Sequence, residues 1–207
     1  GLTELSDAVA ESLSRCNGEV DLNGLTKLTK LSDAAAESLS RCNGEFDLKG
    51  LTELSDAAAE SLSKRKGEYL GLCSLTELSD AAAESLSKFK GEVLGLDGLT
   101  ELSDAAAESL SKCKGEVDLN GLTELSDAAV ESLSRCKREI SLDGLTELSN
   151  AAAKSLSRCK RLSLNGLTEL SDAAAEILSK RKEGLSLNGL TELSDAAAES
   201  LSKCKGW

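Results

Sequence analysis

Seven cysteines are the side chains with the most obvious chemical potential in this sequence. Six of them share one position of a repeated segment: Cys16, Cys42, Cys113, Cys136, Cys159 and Cys204. Other copies have Arg65, Phe89 and Arg181 there, and a position that accepts Arg and Phe does not form a ligand cage. No two cysteines are closer than 23 residues, whereas zinc sites use clustered ligands such as C-x₂-C. We therefore expect no metal site and no cofactor.

The cysteines are also expected to be free thiols. Neighbouring stacked helices lie roughly 8 to 10 Å apart, which exceeds the limit of about 7 Å between Cα atoms in a disulfide. Cys73 lies outside the shared position and is interpreted as a chance substitution.

Groups suited to catalysis are scarce. The sequence contains no histidine, which removes the commonest general base and the usual partner of a nucleophilic Ser or Cys. Carboxylates such as Glu4, Asp7 and Glu11 recur in most copies, as is typical of a solvated helix face and not of one tuned pair. No phosphate-binding glycine motif is present. We therefore expect that the protein is not an enzyme.

The net charge of −12 restricts the classes of partner. A nucleic-acid or anionic-membrane binder needs a basic face, so neither partner is expected. Basic proteins are favoured instead. No run of 18 apolar residues and no signal-peptide pattern is present, and the sequence leaves the localisation open.

A repeat of 22 to 26 residues runs through the whole chain. Its marker is a Ser before Asp-Ala or Asn-Ala: Ser6, Ser32, Ser55, Ser79, Ser103, Ser126, Ser149, Ser171 and Ser194. A fixed period of this length is typical of a solenoid. We predict a single solenoid over 1–207, with nine units that start near residues 1, 24, 50, 74, 98, 121, 144, 166 and 189.

Each unit is predicted to contain one strand and one helix. Apolar residues alternate with polar ones before the turn, as in a half-buried strand: Val20, Leu22, Val117, Leu119, Ile140, Leu142, Leu162, Leu164, Leu185 and Leu187. The following SDAAAESLSK segment has a Ser N-cap and an Asp in the first turn, which suits a helix start. Gly67, Gly91 and Gly115 are predicted to end helices in the left-handed conformation.

The helix is predicted to bury the face that carries Leu5, Val9 and Leu13, with Ala10 beside it. A helix of about ten residues is marginal in water. The units must therefore be stabilised mainly by their neighbours.

The spacing Cys159-xx-Leu162-x-Leu164-xx-Leu167-xx-Leu170 resembles the leucine-rich repeat, and most closely its short bacterial forms. The segment from Leu54 to Leu62 resembles the helical half of such repeats. This resemblance covers the whole chain. It implies an α/β fold, a right-handed solenoid with a parallel sheet on one face and short helices on the other, and protein recognition as its use.

The sequence departs from that family at its asparagine position. Leucine stands there in eight units, at Leu25, Leu51, Leu75, Leu99, Leu122, Leu145, Leu167 and Leu190. Asparagine stands two residues earlier, at Asn23, Asn120, Asn165 and Asn188. We therefore expect the turn to be built differently.

The outward strand positions form the candidate interaction face. They are acidic in three units, at Asp21, Asp47 and Asp118, and neutral in three others, at Ser141, Ser163 and Ser186. The leading hypothesis is a non-catalytic scaffold that binds a protein partner, which the acidic half suggests is basic.

Three alternatives remain open. The chain could be a structural segment of a longer array, or could associate with itself end to end. A column of nine threonines could match an ice or crystal lattice, although Thr after Gly-Leu also suits a turn: Thr3, Thr26, Thr52, Thr76, Thr100, Thr123, Thr146, Thr168 and Thr191. The near-identity of the units would also fit a designed consensus sequence.

Overall fold

The computed structural model describes residues 3–15, 27–42, 46–182 and 184–204. Within these ranges, helices α1 to α9 span Asp7–Ser14, Asp33–Ser40, Asp56–Ser63, Asp80–Leu86, Asp104–Leu110, Asp127–Leu133, Asn150–Leu156, Asp172–Ser179 and Asp195–Leu201. Strands β1 to β7 span Phe46–Asp47, Tyr69–Gly71, Val93–Gly95, Glu116–Asp118, Ile140–Ser141, Leu162–Ser163 and Leu185–Ser186. The strand predicted at Val20 and Leu22 lies outside the described residues. No helix in the described ranges is long and apolar enough to cross a bilayer.

The seven strands form one parallel sheet in the order β1-β2-β3-β4-β5-β6-β7. Each strand is connected to the next through a helix, and each helix packs on the helices of the adjacent units. The predicted α/β class and the right-handed solenoid, with a sheet on one side and helices on the other, are confirmed.

The first turn of each helix is held by the predicted serine N-cap. At α5, Ser103 has extended backbone angles of φ −68° and ψ 157°, and its hydroxyl accepts a hydrogen bond from Ala106 N–H at 3.0 Å. That bond satisfies one of the amides that a helix N-terminus leaves without a partner.

The same serines also connect neighbouring units. Each hydroxyl donates to the carboxylate of the first residue in the preceding helix, in the pairs Ser32–Asp7, Ser55–Asp33, Ser79–Asp56, Ser103–Asp80, Ser126–Asp104, Ser149–Asp127 and Ser194–Asp172. At the remaining joint Ser171 donates to the amide oxygen of Asn150 at 3.2 Å. One hydroxyl therefore caps its own helix and binds the helix before it.

Alanine columns form the contact between adjacent helices. Ala106 and Ala107 are both fully buried in α5. In α1 the position of Ala106 is held by Val9, which is 45% exposed, and in α9 the position of Ala107 is held by the exposed Ala198. The Ala106 column therefore packs on the preceding unit, and the Ala107 column packs on the following one. The prediction that Val9 faces the core is wrong, because no described helix precedes α1.

The prediction of a left-handed conformation is wrong for Gly91 and Gly115. Helix α3 ends with Lys64 in a right-handed conformation (φ −83°), and α4 ends with Ser87 at φ −60°. Neither Gly91 nor Gly115 has a positive φ. These glycines allow a close approach instead, since a Cβ on Gly115 would lie 2.4 Å from the carbonyl oxygen of Glu92 in the preceding unit.

We predict that Ser103→Ala lowers the free energy of unfolding by about 1 to 2 kcal/mol, because it removes both the cap and the bond to Asp80. The matched control is Ser171→Ala, whose partner Asn150 is neutral and more distant. Its loss should be smaller, since hydrogen bonds to a charged acceptor are the stronger ones. Urea denaturation measures both, and equal losses would show that the carboxylate does not stabilise the joint.

Candidate functional site

The predicted interaction residues fall into one column on the outer face of the sheet. The parallel register aligns Asp47, Gly71, Gly95, Asp118, Ser141, Ser163 and Ser186 in that order. Asp21 lies outside the described residues. Two glycines that the sequence analysis did not single out therefore separate Asp47 from Asp118.

The space above those glycines is filled by the chain's only tyrosine. A Cβ on Gly71 would lie 2.7 Å from the Tyr69 ring and 2.8 Å from Asp47 Oδ1. A Cβ on Gly95 would lie 3.1 Å from the Tyr69 hydroxyl and from Cys73 Sγ. The ring therefore lies across the sheet face, in a place that only glycines leave open.

Cys73 belongs to the same cluster, so its interpretation as a chance substitution missed a spatial relationship. Its Sγ lies 3.6 Å from the Tyr69 hydroxyl. Burial, followed by the hydrogen bond to Cys73, raises the pKa of Tyr69 well above its ordinary value. Burial also raises the pKa of the Cys73 thiol. Both groups are therefore neutral near pH 7, and the thiol is not an activated nucleophile.

Carboxylates surround this ring on both sides. Asp47 forms an ion pair with Lys49 at 2.5 Å, while its Oδ1 is buried and has no hydrogen-bond partner among the described residues. Burial, and then the charges of Asp97, Glu116, Glu139 and Asp143, raise the pKa of Asp118 to about 6.

We call Asp47, Tyr69, Asp97, Asp118 and Asp143 the acidic sheet patch. Its members come from five consecutive units, and its negative charges are close enough to repel one another.

A hydrogen-bonded ladder borders the patch. The side-chain oxygens of Asn120, Asp143 and Asn165 accept from the backbone N–H of Asp143, Asn165 and Asn188, at 3.0, 2.8 and 2.9 Å. Each acceptor lies one unit before its donor. The ladder residues Asn120, Asp143 and Asn165 lie two positions before Leu122, Leu145 and Leu167.

Two of the three serines of the predicted face are already bonded to this ladder. Ser163 donates to Asp143 at 2.6 Å, and Ser186 donates to Asn165 Oδ1 at 2.8 Å. No hydrogen bond to the Asp118 carboxylate is present among the described residues. On this face, Asp47 Oδ1 and the Asp118 carboxylate therefore accept no hydrogen bond from the described residues.

The shared cysteine position is a buried column of the core, not a reactive site. Cys42, Cys113, Cys136, Cys159 and Cys204 are reduced thiols that are at most 8% exposed. Burial raises the pKa of Cys113 and of Cys136 to about 12, and the pKa of Cys159 to about 11. Cys16 lies outside the described residues. No cluster of three potential metal ligands occurs in the described ranges.

Buried arginines replace cysteine in the same column. Arg181 donates to the carbonyl oxygens of Leu156 at 2.5 Å and Gly184 at 3.0 Å. Burial lowers the pKa of Arg65 to about 10. Backbone carbonyls therefore hold these guanidinium groups in the core.

The threonine column is part of the turns. The Thr100 hydroxyl lies 3.3 Å from the carbonyl oxygen of Thr76, and Thr52 and Thr191 make the same bond to Thr29 and Thr168. The hydroxyls thus bind the turn of the preceding unit, which favours the turn interpretation over a lattice match.

Solved structures with a similar fold come from larger leucine-rich-repeat proteins. An internalin, InlF from Listeria monocytogenes, aligns with 98% of this chain and 68% of its own length, at 15% identity and a TM-score of 0.53. TLR13 in its complex with ssRNA13 aligns with 96% of this chain and 33% of its own length, at 18% identity and a TM-score of 0.58. No protein-family model and no curated protein matches the sequence. The chain therefore has the leucine-rich-repeat fold, as the repeat spacing predicted.

We predict that, among the cysteines that the structure describes, iodoacetamide modifies Cys73 first in the native protein. Cys73 is partly exposed, whereas Cys113, Cys136 and Cys159 are buried and their high pKa values leave little thiolate. The buried column should react only after unfolding in urea, which mass spectrometry of the labelled peptides would show. Rapid native labelling of Cys113 would contradict the buried placement.

We further predict that Gly71→Ala displaces the Tyr69 ring and lowers the pKa of Tyr69 toward about 10. Ultraviolet absorbance follows this titration directly, because Tyr69 is the only tyrosine. The stabilising effect of burying the neutral phenol is fully present below about pH 10 and is lost at higher pH. Gly184→Ala is the control, since a Cβ there would meet only Arg161 Cγ at 3.9 Å. An unchanged titration in Gly71→Ala would contradict the placement of the ring.

Proposed function

We propose that the protein is a non-catalytic interaction scaffold, and that its acidic sheet patch binds a basic segment of a protein partner. The observation that carries this proposal is the pair Gly71 and Gly95, which interrupts the outward column of polar side chains on the sheet face. There, two glycines seat Tyr69 between Asp47, which pairs with Lys49, and Asp97 and Asp118, which have no ion pair among the described residues.

The electrostatics of the patch favour a cationic partner. Asp118 is half-buried and is surrounded by four other carboxylates, so its ionised form is disfavoured. A bound guanidinium or ammonium group would offset that repulsion and donate hydrogen bonds to the carboxylate oxygens. Exposed carboxylates elsewhere are surrounded by water and screened by salt, and therefore contribute less to affinity.

The tyrosine ring adds a second kind of contact. A cation within about 6 Å of an aromatic ring is attracted to its face, and arginine also stacks on it. Arginine can bind a carboxylate with two parallel hydrogen bonds at the same time. An arginine of the partner, lying on Tyr69 and bonded to Asp118, would use both features.

The patch argues against an RNA ligand, although TLR13 is bound to ssRNA13 in its own structure. In this chain Asp47, Asp97, Asp118 and Asp143 would face the phosphates and repel them.

The test uses fluorescein-labelled deca-arginine as the probe and fluorescence anisotropy as the measurement. A face variant, Asp47→Asn with Asp118→Asn, should bind about fivefold to tenfold more weakly, equivalent to about 1.0 to 1.4 kcal/mol. The control is Glu53→Gln with Glu124→Gln, which removes the same charge from exposed positions outside the patch. Each pair includes one carboxylate with a lysine partner, Asp47 with Lys49 and Glu53 with Lys30.

Binding should also depend on pH. Because burial and like charges raise the pKa of Asp118 to about 6, its carboxylate charges as the pH rises through 6. The affinity for deca-arginine should therefore increase between about pH 5 and pH 7, and Asp118→Asn should flatten this increase. The proposal fails if the control pair weakens binding as much as the face pair does.

A further inference from the structure

The charges of the solenoid are sorted onto two opposite edges. Each strand leads through a turn to the N-terminus of a helix, and the C-terminus of that helix leads back to the next strand. The helix N-termini therefore share one edge of the molecule, and the helix C-termini share the other.

The edge with the helix N-termini is acidic. It exposes the column Glu53, Glu77, Glu101, Glu124, Glu147, Glu169 and Glu192, together with the helix-starting residues Asp56, Asp80, Asp104, Asp127, Asp172 and Asp195. We call these residues the acidic edge. Grooves of about 560 and 520 Å³ separate adjacent units along it, between units 3 and 4 and between units 5 and 6.

The edge with the helix C-termini carries most of the exposed lysines and arginines, together with a glutamate in several units, at Glu68, Glu92, Glu116 and Glu139. A basic residue one or two positions after the end of most helices pairs with a glutamate four residues earlier, as in Lys64–Glu60 at 2.8 Å and Lys88–Glu84 at 3.2 Å. The next basic column is exposed and has no ion pair within the described ranges: Lys66, Lys90, Lys114, Lys137, Lys160 and Lys182. We call this column the basic edge.

A groove of about 890 Å³ opens between units 3 and 4 on this side. Its lining has five basic side chains and three carboxylates: Lys64, Arg65, Lys66, Lys88 and Lys90, with Glu60, Glu68 and Glu92. Carboxylates of a partner that entered this groove would meet an excess of positive charge.

We propose that the protein associates laterally with a second copy of itself, with the acidic edge of one copy against the basic edge of the other. If the second copy is related to the first by a translation from one edge to the other, each unit lies opposite the same unit of the other copy. Glu77 and Asp80 of one copy would then face Lys90 of the next, and the match would recur at each unit, because both edges have the same repeat.

The net charge of −12 does not prevent this contact. At physiological ionic strength the Debye length is about 8 Å, so repulsion between distant parts of two copies is screened, while adjacent opposite charges still attract. Such an edge contact is head-to-tail in character and leaves both outer edges open, so assemblies should grow beyond the dimer. It also leaves the acidic sheet patch accessible, and this inference is independent of the proposed function.

Charge-swap variants of the full chain provide the test. The first variant reverses the basic edge with Lys90→Glu, Lys114→Glu, Lys137→Glu and Lys160→Glu. The second reverses the acidic edge with Glu77→Lys, Glu101→Lys, Glu124→Lys and Glu147→Lys. All eight side chains are exposed, and circular dichroism with urea denaturation checks that each variant folds.

Sedimentation velocity at low salt should show the wild-type mass rising above 21.6 kDa with concentration, and returning to the monomer at about 1 M salt. Each single-edge variant should remain a monomer, and an equimolar mixture of the two should associate. A variant that carries all eight changes restores complementary edges and the original net charge, and should associate as the wild type does. A wild type that is monomeric throughout would overturn the proposal. Association that every variant retains would also overturn it, in favour of end-to-end stacking.

Discussion

The joint between consecutive units is the contact on which this structure depends. Helices of seven or eight residues and strands of two or three residues are too short to persist alone. Fully buried alanines such as Ala106 and Ala107 allow adjacent helices to approach closely, while buried leucines such as Leu94 and Leu96 fill the space beneath the sheet. The Ser–Asp bond then couples the cap of each helix to the helix before it. Stability is therefore a property of neighbouring pairs and not of single units.

The joints leave side chains available on three surfaces, although the helix-starting aspartates of the acidic edge, such as Asp80, also accept the Ser–Asp bonds. These surfaces are the outer face of the sheet and the two edges. The edges repeat the same charges from unit to unit, which suits a partner with the same period, such as a second copy. The sheet face instead changes along its length, from carboxylates around Tyr69 to serines bonded into the ladder. A change confined to a few units is suited to recognising a short segment of a partner.

The repeat made much of this architecture predictable. Strand positions, the serine caps and the single outward column from Asp47 to Ser186 follow from local patterns. Features that depend on contacts between units were harder to predict from the sequence. Gly91 and Gly115 were predicted to have a left-handed conformation. The structure shows instead that glycine is needed there because a Cβ would collide with the backbone of the preceding unit. The Tyr69 cluster joins residues 24 positions apart. The sequence does contain a pattern that could have indicated this cluster. Two outward glycines, the only tyrosine and the displaced Cys73 occur together within two adjacent units.

Amide hydrogen exchange on the full chain tests the central claim most directly, by comparing the wild type with Ala107→Glu. This change places a charge in the fully buried contact between α5 and α6. If the joints stabilise the units, protection from exchange should fall in both α5 and α6, and in the strands that follow them, β4 and β5. Protection of α8, which is farther along the chain, should change least. Loss of protection confined to α5 would contradict this account, because it would show that a unit is stable independently of its neighbours.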